Sequence, residues 1–166
     1  VTEGRCSRLR SNQNDRRRGT DFMLNQVETM FDDMEKMIKK LKKKQYEENM
    51  ENFMAAYEAY FLEMETYMSE NDPQTAAKEI SQVFVDAVKK RYEVKGKIKG
   101  YIQADLNLFM IYYVFPAILK RDHEHAKLLA DTLCETWGNS FKDSKIGYTD
   151  YDSLYKSFRE KIFGIF

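Results

Sequence analysis

Apolar residues recur along this chain at alternating steps of three and four, the spacing that gathers side chains on one face of an α-helix. Leu24, Val27, Phe31, Met34, Ile38 and Leu41 form the first stripe. Asp32 and Asp33 lie in its early part, and Lys39, Lys40, Lys42, Lys43 and Lys44 crowd its end, the charge order a helix dipole favours. A second stripe, Tyr46, Met50, Phe53, Tyr57, Tyr60, Met64 and Tyr67, is widened by Met54, Phe61 and Met68. The phase slips between Leu41 and Tyr46, where the step is five, and Glu47, Glu48 and Glu51 follow as at a fresh helix start. The pattern predicts a break near Lys44-Gln45 and an antiparallel helical hairpin. One long helix is the alternative, because no glycine or proline marks the turn.

Asn71-Asp72-Pro73 closes the second helix and opens a third, with proline at a first helical position and Ile80, Phe84, Ala87 or Val88, and Tyr92 on the apolar face. Residues 93–100, with Gly96 and Gly100, read as a loop. The fourth helix, about 101–120, is apolar nearly all round and is expected to be the central element, bent or ended early by Pro116. A fifth spans about 122–137, with Ala126, Leu129 or Ala130, Leu133 and Trp137 on one face and Gly138-Asn139 at its end. Thr149 and Asp152 resemble a capping box for a sixth, whose face is Tyr151, Leu154, Tyr155, Phe158 and Ile162. The expectation is an all-α, six-helix bundle without a sheet.

Composition agrees. Seven glycines and two prolines in 166 residues are too few for the turns of a many-stranded fold. The longest apolar stretch, Leu106 to Leu119, is interrupted by Asn107 and Pro116 and falls short of the roughly 20 residues a spanning helix needs, so it reads as a core helix. Cys6 and Cys134 make neither a disulfide framework nor a metal knuckle, which predicts a reduced, cytoplasmic protein. No apolar signal core is read in the first 21 residues.

The net charge is zero, but unevenly so. Residues 1–22 hold six of the nine arginines and none of the 18 lysines, leaving +3 there and −3 in residues 23–166. The segment is expected to be a disordered tail on a single helical domain, 23–166. It reads either as a basic arm or as the product of an upstream start, and translation from Met23 is the reading favoured. Neutral overall charge argues against a strongly basic nucleic-acid protein and against a polybasic membrane protein.

Few residues suggest chemistry. His123 and His125 in Asp122-His123-Glu124-His125 would point to different helix faces, and the second histidine helix of a di-iron bundle is missing. Gly96-Lys97-Ile98-Lys99-Gly100 lacks the strand that precedes a phosphate loop. No catalytic residue, metal site or cofactor is expected. Lys89, Lys90, Arg91, Lys95, Lys97 and Lys99, beside Tyr92 and Tyr101, form a candidate anion or nucleic-acid patch, against the more frequent reading of solvated helix ends and loop. Asp105 is the candidate buried polar residue, either in a structural ion pair with a lysine of 95–99 or with Arg159, or in contact with a ligand.

Lys43 to Phe53 is similar to the inter-helix turn of a tetratricopeptide repeat, with Asn49 where that family prefers alanine and no second copy along the chain. Gln103-Ala104-Asp105-Leu106-Asn107-Leu108, Tyr113 to Leu119, Leu129-Ala130-Asp131 with Trp137, and Asp150-Tyr151 together resemble a group of uncharacterised small helical proteins of Gram-positive bacteria. That resemblance covers about residues 40–166 and implies a helical fold and a cytoplasmic setting, with no activity to transfer. The resulting expectation is a non-enzymatic protein that binds a protein partner or itself, without a membrane. A nucleic-acid-binding regulator using residues 89–99 and a bundle that takes a small molecule near Asp105 are the alternatives.

Overall fold

In the computed structural model the described residues are 3–38, 43–121, 124–141, 145–146 and 149–150, with backbone alone for 3–20, 43–44, 145–146 and 149–150. The chain is an all-α bundle. Helix α1 is Glu3–Ile38, α2 Lys43–Ala56, α3 Glu58–Glu70, α4 Pro73–Tyr92, α5 Gly100–Leu119 and α6 Ala126–Ser140. These six are not quite the six expected. The second predicted helix is divided at Tyr57 into α2 and α3, and most of the predicted sixth lies outside the described residues. Two-residue strands, Lys145–Ile146 and Thr149–Asp150, pair antiparallel and leave the all-α class unchanged, although no sheet was expected.

The opening hairpin forms. Tyr57 on the α2–α3 side meets Asp33 on α1, while Phe53 and Asn49 line a groove with Met37, so the partners run in opposite directions. The break comes earlier than Lys44-Gln45, because α2 begins at Lys43. The phase slip marked where the apolar stripe resumes, and the first turn of α2 precedes it. Helix α1 also extends back to Glu3, where a disordered tail was expected. Among the α1 residues whose side chains are described, Met23 is the first that is buried, and it is fully enclosed.

Asp72 caps α4 as the sequence predicts. Its carboxylate accepts from the Thr75 amide at 3.0 Å and the Thr75 hydroxyl at 2.8 Å, with Pro73 in the first turn. These bonds hold the Asp72 carboxyl below its ordinary range. Helix α4 buries more than its predicted stripe, adding Ala76, Ala77, Ser81, Val83 and Val85, and it packs against α1, α3 and α6. Helix α5 is long and apolar enough to cross a membrane by length and composition, yet most of it is buried within the bundle.

Pro116 follows a break in the α-helical register of α5. The proline has no N–H to give the Tyr112 carbonyl, its partner in α-helical register. Residues Met110–Val114 widen into a π-helical turn, in which the Phe115 amide reaches back to the Met110 carbonyl. The Tyr46 hydroxyl of α2 donates to the Tyr112 carbonyl at 2.7 Å and supplies the missing bond. A spine of rings fills the centre. Phe31 of α1 meets Phe109 at 5.8 Å and Trp137 at 6.5 Å, and Phe53 of α2 meets Phe109 at 5.9 Å and Tyr113 at 5.7 Å. Burying rings of this size dominates a small core.

Candidate functional site

The stripes that make α1 and α2 a hairpin leave a gap between them. An open groove of about 270 Å³ is lined by Asp33, Lys36, Met37, Asn49, Asn52, Phe53, Ala56 and Tyr57. Phe53 and Tyr57 are buried and form its apolar floor, while Lys36, Asn52 and Ala56 are exposed at the rim. Tyr57 donates its hydroxyl to Asp33 Oδ2 at 2.6 Å. Burial, then this bond, pushes the Tyr57 hydroxyl well above its usual range, so it remains a neutral donor. At the other end Tyr113 donates to the Met37 carbonyl at 3.3 Å, satisfying one of the last carbonyls of α1, and Asn49 hydrogen-bonds the same hydroxyl. The groove therefore has fixed walls, an apolar floor and both charge signs at its rim.

A second polar feature is sealed in the core. Asn107 Oδ1 accepts from Trp137 Nε1 at 2.7 Å and from Gln103 Nε2 at 2.9 Å, with all three residues buried. Gln103 Oε1 and Asn107 Nδ2 have no hydrogen-bond partner among the described residues. The triad ties α5 to α6 immediately before the π-helical turn. None of its three residues lines the α1–α2 groove.

Asp105 requires correction. It is exposed, and Gln103 and Asn107 on either side of it are the buried polar residues. Positions four apart share a helix face, and the core face of α5 carries 103 and 107, which turns 105 outward. The described groove does not include Asp105.

The six cations of 89–99 are all exposed, and two of them are ion-paired. Lys90 pairs with Glu28 at 3.0 Å, and Arg91 pairs with Asp32 and donates to the Glu28 carbonyl at 3.2 Å. The Asp32 hydrogen bond raises the Arg91 guanidinium above its usual value. These two cations fasten α4 to α1. Among the described residues no carboxylate lies within ion-pair distance of Lys89, Lys95, Lys97 or Lys99.

His125 stands at the start of α6, 3.9 Å from Glu124, and His123 lies outside the described residues. Among the described residues no group of three or more histidine, cysteine, aspartate or glutamate side chains could hold a metal ion. Cys134 is buried. The sequence offered one signal for the groove: Asn49 departs from the alanine of the repeat-like turn, and it is among the lining residues. Asp33, Lys36 and Asn52 carried no such signal, because each reads as an ordinary polar helix position.

Fold and site together define an all-α bundle with an open amphipathic groove between its first two helices. No protein-family model, curated protein or solved structure matches the chain.

Proposed function

We propose that this is a non-enzymatic, cytoplasmic helical protein that binds a protein partner, or a second copy of itself, at the α1–α2 groove. The observation that carries the reading is the groove: an apolar floor of Phe53 and Tyr57 inside a rim of Lys36, Asp33, Asn49 and Asn52. Such a surface takes an apolar side chain of a partner and fixes its register through the polar rim. Tyr57, which lines it, is held neutral, and this suits hydrogen bonding more than proton transfer.

Ala56→Trp tests it, because the exposed rim position lets the indole fill the groove without disturbing the core. Light scattering over a concentration series reads self-association, and capture of native complexes reads a partner. Loss of the associated species with Ala56→Trp, and its retention with Gln82→Trp on the exposed side of α4, supports the proposal. Association unchanged by Ala56→Trp contradicts it.

A further inference from the structure

The Val94–Tyr101 loop carries chemistry that the groove does not use. From Glu93 to Tyr101 every residue except Ile98 is exposed, and Ile98 packs against the core as an anchor. The tip is a closed turn. The Val94 amide donates to the Lys97 carbonyl at 2.9 Å and the Lys97 amide to the Val94 carbonyl at 3.1 Å. Lys95 and Gly96 between them sit at φ of 54° and 76°, the left-handed pair of a two-residue hairpin turn. The turn thus fixes the backbone at Lys95 and Lys97, reducing the order still to be imposed when the tip meets a surface.

Two apolar side chains flank these cations. Val94 is 64% exposed and Tyr101 66%, the highest values for a large hydrophobic among the described residues. Residues 94–101 hold three lysines and no carboxylate. Whole-chain neutrality argued against such a surface, but the average conceals this local excess.

We propose that the Val94–Tyr101 tip docks on the surface of an anionic phospholipid bilayer, with Lys95, Lys97 and Lys99 at the headgroups and Val94 and Tyr101 inserted at the interface. An aliphatic and a tyrosine ring beside lysines are the components of interfacial binding, since tyrosine settles at headgroup depth and the aliphatic group gains by leaving water. The same observations fit a nucleic acid less well. The exposed Val94 has no role against a phosphodiester backbone, and Lys90 and Arg91, which would extend the cationic track, are engaged by Glu28 and Asp32. The tip is separate from the α1–α2 groove, so this inference stands or falls independently of the partner reading.

The test is co-sedimentation of the full chain with vesicles of phosphatidylcholine alone and of phosphatidylcholine mixed with phosphatidylserine. Three lysines at about fivefold each predict roughly hundredfold stronger partitioning to the anionic vesicles, declining with added salt. Val94→Ser with Tyr101→Ser should weaken it about tenfold or more at unchanged charge, and Lys95→Glu, Lys97→Glu and Lys99→Glu together should abolish it. All five positions are exposed, and circular dichroism confirms that each variant is folded. Absence of a preference for anionic vesicles overturns the proposal. So does binding that is indifferent to the Val94 and Tyr101 changes and equalled by duplex DNA or RNA at the same salt.

Discussion

Tyr46→Phe tests the account of the π-helical turn in α5 at a single atom. The wild-type hydroxyl donates to the Tyr112 carbonyl, which Pro116 deprives of its ordinary helical donor. Phenylalanine keeps the ring contacts to Tyr112 at 6.0 Å and Tyr113 at 5.8 Å and removes only the hydrogen bond. A bond to a partly exposed carbonyl contributes about 1 kcal/mol net, so the substitution should cost about that much and lower Tm by roughly 2–4 °C for a chain of this size. The discriminating step is a double-mutant cycle with Pro116→Ala. Alanine restores the backbone N–H, so the cost of Tyr46→Phe in that background should fall below about 0.5 kcal/mol, a coupling of at least about 0.5 kcal/mol. Denaturant unfolding followed by the emission of Trp137, the only tryptophan, reads all four proteins. Equal costs of Tyr46→Phe with and without Pro116 would refute the argument that the proline creates the need for this hydroxyl.

Other consequences follow from the same contacts. Asn107→Leu leaves the buried indole N–H of Trp137 without its acceptor and should destabilise the fold by about 3 kcal/mol, measured by the same unfolding curves. A near-neutral result would remove the triad from the account of core stability. Lys95→Gly relieves a left-handed residue at the loop tip and should stabilise by about 0.5–1 kcal/mol, whereas Gly96→Ala should destabilise by a similar amount. Burial raises the hydroxyl groups of Tyr46, Tyr57, Tyr92 and Tyr113. Unfolded tyrosines lose their protons near pH ~10 while these retain theirs, so stability is fully present below that pH and declines as pH rises toward the folded values. Unfolding curves at neutral pH and above pH ~10 check this, and Tyr57→Phe should lessen the alkaline loss.

Much of the architecture was legible because it depends on periodicity, which is a local property. The stripes on α1, α2 and α3 predicted the hairpin, and Asp72-Pro73 marked the start of α4 to the residue, since cap and first-turn chemistry act within a few positions. Asp105 shows where local reading ends. The sequence singled out its charge beside leucines, but which of residues 103, 105 and 107 faces inward depends on how α5 is rotated against α6, and the Trp137 indole settles that. Arg91 and Lys90 read as surface cations because Glu28 and Asp32 lie some 60 residues away along the chain, as |i−j| of 59 for Arg91–Asp32 illustrates. The groove was hidden for the same reason. It is the space left between two stripes, and a stripe specifies what is filled.

The central claim is that the α1–α2 groove is where this protein meets its partner. Site-specific photo-crosslinking measures that most directly, with a photoreactive phenylalanine analogue at Ala56 and a control at Gln82 on α4, in the cells that make the protein. The account predicts a discrete crosslinked species, a partner or a second copy of the chain, from position 56 and not from position 82. No species from position 56, or the same species from both positions, would contradict it.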